Sequence, residues 1–117
     1  MNKKKKILVC GVGSVGRRHI QNILKIDKNI DVCVWRKRTK NDDLTDSVEL
    51  YKDLNKALDA SSAVIIATET DLHMKILKDA IAKNKDIYIE KPISNTLEGL
   101  EAIQERITKN KLIVEVG

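Results

Sequence analysis

The sequence predicts a doubly wound α/β fold: a parallel sheet of about six strands with helices on both faces. Three observations carry this reading. Strand-like and helix-like segments alternate along the 117 residues, as parallel strands joined by right-handed helical crossovers require. The strand segments are short continuous runs rich in Ile and Val, the composition of strands covered on both faces. Residues 7–19 read Ile-Leu-Val-Cys-Gly-Val-Gly-Ser-Val-Gly-Arg-Arg-His. Here an apolar run passes through a G-x-G-x-x-G turn into a helix-like stretch, the strand–turn–helix context that gives such glycines their meaning. The fold is therefore a Rossmann sheet, for which the strand order 3-2-1-4-5-6 is expected.

Each element has its own warrant. Residues 6–10 form the first strand, and Ser14–Ile26 form a helix with Val15, His19 and Ile23 on one stripe and Ile20 and Leu24 beside it. Ile30–Trp35 is the second strand, residues 39–46 are a polar loop or single helical turn, and residues 48–51 are a short third strand. A short helix over residues 53–59 is capped by Asp53. Residues 63–67, Ala-Val-Ile-Ile-Ala, are the most buried strand. The helix over residues 70–83 turns Leu72, Ile76, Leu77, Ala80 and Ile81 inward. Residues 86–90 form the fifth strand. Asn95 and Glu98 have capping-box spacing for a helix running to about Lys109, with Leu97, Leu100, Ile103 and Ile107 as its stripe. Residues 111–116 close the sheet.

Composition narrows the function classes. Length predicts one domain. Hydrophobic residues make up 42%, but aromatics only 3% with no Phe, so the core is aliphatic. The net charge of +5 is concentrated in residues 3–6, read as a solvated tail, and in Arg36, Lys37, Arg38 and Lys40. A basic balance favours anionic partners. Zinc-ligand spacing, interleaved aromatics and a helix-turn-helix pattern are not seen, so nucleic acid is not the expected partner. Cys10 and Cys33 fall inside strands and read as core thiols, which points to a reducing cytoplasmic setting. No apolar run approaches the ~20 residues of a membrane span.

The glycine turn supplies a binding device. Amides at a helix start are unpaired, and the helix dipole places about half a positive charge there. Gly11 allows the turn, Gly13 removes a Cβ that would bar a pyrophosphate, and Gly16 lets the helix pack close to its strand. The backbone of Ser14 and Val15 completes that helix start. Two further segments follow strands four and five: Thr68-Glu69-Thr70-Asp71-Leu72-His73 and Glu90-Lys91-Pro92. In an open parallel sheet, ligands bind beyond the carboxyl ends of the strands where strand order reverses. All three segments are therefore expected to converge on one crevice.

Together these three motifs resemble the glucose-fructose oxidoreductase / inositol dehydrogenase / rhizopine-catabolism (Gfo/Idh/MocA) family, whose N-terminal nucleotide-binding domain the resemblance covers over the whole chain. It implies an NAD(P)-dependent dehydrogenase that moves hydride to or from a sugar-like or cyclitol-like alcohol or ketone. It also implies that Lys91 lies beside the nicotinamide and the substrate hydroxyl as the catalytic lysine, with Glu90 positioning cofactor or lysine and Pro92 setting the backbone. Taken alone, Lys91-Pro92 is a loop bend with a solvated lysine; the three-motif context reverses that reading. His73 matches the family's histidine after strand four and reads as a positioning residue near the cofactor, alongside Thr68 and Thr70. Glu69 and Thr70 stand where the family commonly has proline and asparagine. His19 also fits the family pattern, with helix–sheet packing as its expected role. No metal is expected.

The second strand bears on cofactor choice. NAD sites place Asp or Glu at its end; here Trp35 stands there, followed by Arg36, Lys37 and Arg38. Guanidinium groups offer forked hydrogen bonds to a 2′-phosphate and can stack on adenine. NADP(H) is therefore favoured, with NAD(H) as the alternative and a solvated basic turn as the reading without preference. In the family, substrate is held against a second α/β domain. Residues 1–117 are accordingly expected to be the cofactor-binding domain alone, holding dinucleotide with little or no turnover. The contrasting reading is a stand-alone NAD(P)-sensing module that dimerises through the surface its partner domain would cover.

Overall fold

The structure, a computed structural model, describes residues 5–11, 14–26, 29–35, 48–91 and 99–117, with the backbone only at Ser14 and Val15. Its elements run β1 (Lys5–Cys10), α1 (Ser14–Ile26), β2 (Ile30–Trp35), β3 (Glu49–Tyr51), α2 (Leu54–Ala60), β4 (Ala63–Ile66), α3 (Thr70–Ala82), β5 (Asp86–Ile89), α4 (Leu100–Asn110) and β6 (Val114–Val116). The strands form one sheet in the order β3-β2-β1-β4-β5-β6. Every pairing is parallel. This is the expected Rossmann order.

Side-chain alternation divides the core in two. Leu8, Cys10, Cys33, Val64, Ile66, Ile87 and Ile89 face α2, α3 and α4, and pack with Leu58, Ile76, Leu77, Ile81 and Ile103. On the opposite face Val9, Val32 and Val34 meet Ile20 of α1, with Ile23 and Ile65 against them. Strands covered on both sides explain why their sequence shows runs rather than alternation.

Two boundaries differ from the sequence reading by more than one residue, each for a backbone reason. Asp53 does cap α2, its carboxylate accepting from the Lys56 N–H at 3.2 Å. By contrast, α4 starts after Gly99, which is left-handed (φ 82°) and makes no side-chain cap bond. The capping-box residues Asn95 and Glu98 lie outside the described residues. The sixth strand begins at Val114 rather than residue 111, because Lys111 takes a left-handed conformation (φ 55°) and closes α4. Its N–H bonds the Thr108 carbonyl, and the Leu112 N–H bonds that of Ile107. The helix-ending turn thus consumes residues that strand propensity had assigned to the sheet.

Both cysteines are free and buried. Desolvation raises the Cys33 thiol to about 11, and drives the Cys10 thiol further above its ordinary value. Each is therefore a neutral core group, and only the thiolate is an effective nucleophile. In native buffer at pH 8, a thiol reagent is expected to modify both residues slowly, at a rate that follows urea-induced opening. Modification of either cysteine at the rate of a free thiol would contradict the burial.

Candidate functional site

The register lines up the carboxyl ends of all six strands. Tyr51 pairs with Trp35, Trp35 with Cys10, Cys10 with Ile66, Ile66 with Ile89, and Ile89 with Val116. The ladder continues one residue past this row. The N–H groups of Gly11, Ala67, Glu90 and Gly117 donate to the carbonyls of Trp35, Cys10, Ile66 and Ile89, at 2.9, 2.9, 3.0 and 3.0 Å. The starts of the loops after β1, β4 and β5 are thereby set side by side on one edge. These are the segments carrying the glycine turn, Thr68–His73 and Glu90-Lys91.

Strand order reverses between β1 and β4, and there the two loops nearly touch. Gly11 is left-handed (φ 96°), and a Cβ on it would lie 2.6 Å from the Ala67 carbonyl oxygen. Its glycine is thus required twice, by conformation and by the approach of β4's end. A Cβ on Gly16 would overlap the Gly11 carbonyl, so the first turn of α1 sits against the loop it leaves. The first turn of α1 contains no acidic residue, which leaves the positive end of its dipole unopposed. Close backbone and a helix N-terminus are what a pyrophosphate needs, so these residues fit a dinucleotide. Gly13, Arg36, Lys37, Arg38 and Pro92 lie outside the described residues.

Trp35 ends β2 beside this turn. Its carbonyl accepts from Gly11, its indole N–H donates to the Lys52 carbonyl at 3.2 Å, and its ring packs on the α2 side of the sheet. His73 is 1% exposed. Its Nε2 lies 2.9 Å from the Thr68 carbonyl oxygen. A carbonyl only accepts, so Nε2 carries the proton and donates. The buried ring therefore ties the loop after β4 to the first turn of α3, which suits a positioning residue. The Thr68 hydroxyl donates to the Glu69 carbonyl at 3.2 Å, and Thr70 opens α3.

At the end of β5, Lys91 is exposed and its N–H donates to the Gly117 carbonyl at 2.8 Å. The Glu90 carboxylate turns the other way: Oε1 lies 2.6 Å from Nε2 of His19, both side chains about a quarter exposed. The His19 ring also meets Tyr88 edge-on, centroids 5.3 Å apart and planes at 65°. Packing alone was expected of His19, and the pairing with Glu90 was missed. A signal existed. Period-two alternation puts residues 88 and 90 on the face opposite Ile87 and Ile89. That is the face of α1, whose inward stripe includes His19. Among the described residues, no three His, Cys, Asp or Glu side chains cluster as a metal site would require.

The profile of the Gfo/Idh/MocA family, described as an oxidoreductase family with an NAD-binding Rossmann fold, matches residues 5–117. The chain belongs to this family. Among its Gfo/Idh/MocA relatives, the uncharacterised oxidoreductase YrbE of Bacillus subtilis is 28% identical over 93% of this chain and 34% of its own length. An inositol 2-dehydrogenase of Acidiphilium cryptum is 29% identical over 96% of this chain and 36% of its own. In structure, the chain is similar to scyllo-inositol dehydrogenase from Lactobacillus casei with bound NAD(H) and scyllo-inositol. The TM-score is 0.85 at 24% identity, covering 98% of this chain and 36% of the dehydrogenase. This Gfo/Idh/MocA chain thus spans about a third of the length of the relatives it matches. Its dinucleotide-binding character and Rossmann fold accord with the family. No described helix is long and apolar enough to cross a membrane.

Proposed function

We propose that residues 1–117 are the cofactor-holding domain of an oxidoreductase that moves hydride between a nicotinamide and a secondary alcohol or ketone of a sugar-like or cyclitol-like molecule. The observation that carries this is the convergence of the glycine turn, the Thr68–His73 segment and Glu90-Lys91 on one sheet edge. When bound, the dinucleotide supplies the hydride acceptor or donor. Gly11, Gly13 and the backbone of Ser14 and Val15 hold its phosphates. Gly16 keeps α1 close, and Thr68 and Thr70, braced by His73, line the crevice. Lys91 supplies a compact ammonium that hydrogen-bonds the reacting oxygen and offsets negative charge developing there. Substrate closes over this edge against a second domain, and the setting is the cytoplasm.

We further propose that NADP(H) is preferred. Trp35 stands where a carboxylate would bind the ribose hydroxyls, and Arg36, Lys37 and Arg38 follow it. Fluorescence titration of NADPH and NADH onto the chain tests both statements. NADPH is expected to bind at least about tenfold more tightly, because a charge-assisted hydrogen bond contributes roughly 1.5–3 kcal/mol. Arg36→Ala should remove most of that difference and leave NADH unaffected. Equal affinities insensitive to Arg36→Ala would overturn the preference; binding of neither dinucleotide would overturn the domain assignment.

A further inference from the structure

We infer that Tyr88 and Gly117, together with His19 and Glu90, are positioning residues for Lys91, linked with it in one closed circuit of contacts. The inference rests on the role proposed above for Lys91. Glu90 Oε1 lies 2.6 Å from His19 Nε2. The His19 ring meets the Tyr88 ring edge-on. The hydroxyl end of Tyr88 lies so close to Gly117 that a Cβ there would overlap the phenol oxygen and the ring carbon bearing it. The Gly117 carbonyl accepts from the Lys91 N–H at 2.8 Å. Lys91 is bonded to Glu90, and the circuit closes.

The circuit joins parts of the chain that share no motif. Ile65 pairs with Tyr88 in register, so Tyr88 lies on the α1 face of the sheet, where Ile65 packs against the α1 core. Along β5, Glu90 shares that face with Tyr88. The opposite face of β5, at Ile87 and Ile89, is already filled by the larger core. His19 is the α1 side chain that reaches both Tyr88 and Glu90. The backbone is pinned on both flanks: the Glu90 N–H bonds the Ile66 carbonyl, and the Lys91 N–H bonds that of Gly117. To these two backbone bonds the Glu90 carboxylate held by His19 adds a side-chain tether on the α1 face. A long flexible lysine delivers its ammonium to a fixed point only when its Cα is held, since displacements near 1 Å are costly to a reacting geometry. Gly117 belongs to the same device. A side chain there would displace the phenol ring that the His19 ring meets edge-on, and the displacement would pass through His19 and Glu90 back to Lys91.

The test reads Lys91 directly. Amine acylation of the cofactor-free chain, resolved by residue in a mass spectrometer across pH 7–10, is compared among the parent, Gly117→Ala, Tyr88→Phe, their double variant and His19→Gln. Exposed Lys75 and Lys109, on α3 and α4, serve as references. Gly117→Ala should change the Lys91 profile by about twofold or more relative to them. Tyr88→Phe, which removes the overlapped oxygen, should return part of that change, so that the two substitutions are non-additive as residues in contact are. An unchanged Lys91 profile, purely additive effects, or equal changes at the reference lysines would overturn the circuit. Should Gly117→Ala fold poorly by urea titration, His19→Gln leaves the strand ends intact and decides on the same readout. NADPH and NADH titration of each variant is scored separately. A chain that binds neither dinucleotide yet shows the coupled Lys91 response refutes the proposed function and not the circuit; dinucleotide binding without that response refutes the circuit alone.

Discussion

Gly16→Ala is expected to destabilise the fold by about 1–3 kcal/mol, the range of forced overpacking, and to weaken dinucleotide binding at least about tenfold, equivalent to 1.4 kcal/mol. Helix propensity alone dictates the opposite sign. Gly16 lies inside α1, and alanine in a helix interior is favoured over glycine by about 1 kcal/mol. The environment decides the matter. The added Cβ would overlap the Gly11 carbonyl oxygen and come within 2.9 Å of its carbon. Both are backbone atoms, and neither can rotate away. Gly11 cannot yield, because its N–H is tied to the Trp35 carbonyl and its Cα faces the Ala67 carbonyl. The strain must therefore be released by moving α1 outward, with its N-terminus leaving the point where the phosphates are proposed to bind. Urea denaturation gives the stability change, and NADPH titration of the folded variant gives the affinity change. A variant more stable than the parent with undiminished affinity would show that the approach of α1 to the turn is not required.

Much of the fold was legible because the signals were local or periodic. Buried Ile and Val runs marked the strands, and Asp53 marked its own helix. The alternation of strand and helix carried the sheet order, since right-handed crossovers leave few arrangements for it. Boundaries failed where a single backbone conformation outweighed side-chain pattern: Lys111, a residue without turn preference, is left-handed. At the site, motifs located the loops at the sheet edge but not the contacts between them. The Tyr88–Gly117 approach depends on Ile89 pairing with Val116, a register that no short stretch of sequence encodes. His19 shows the same limit more mildly. Its stripe position was readable, while its partner lies 71 residues away on another strand. Bulk signals also separated two kinds of polar residue poorly. His73 and His19 both sit on helices beside the sheet, yet one is buried against a carbonyl and the other meets a partly exposed carboxylate.

That difference makes His73 the second place where a large effect is expected. His73→Ala should cost about 2–4 kcal/mol of stability: truncating a buried side chain of this size leaves a cavity, and the Thr68 carbonyl loses a hydrogen-bond partner. Stability alone would not separate function from packing, so the comparison is with Ile76→Ala. Ile76 is fully buried three residues on in α3, in the core that also holds Leu77 and Ile81. Its truncation costs about 2–5 kcal/mol by the same cavity argument, so the two variants are matched in stability. They differ in what they release. Ile76 anchors helix to sheet, whereas His73 holds the Thr68 carbonyl and with it the loop that meets Gly11 at the switch point. Corrected for the folded fraction, dinucleotide affinity should therefore fall several-fold in His73→Ala and stay near the parent value in Ile76→Ala. His73→Gln, whose amide can donate to the same carbonyl, should recover affinity more fully than stability, because the hydrogen bond returns while the packing of the ring does not. Equal affinity losses in the two alanine variants would reduce His73 to a core residue that happens to be polar.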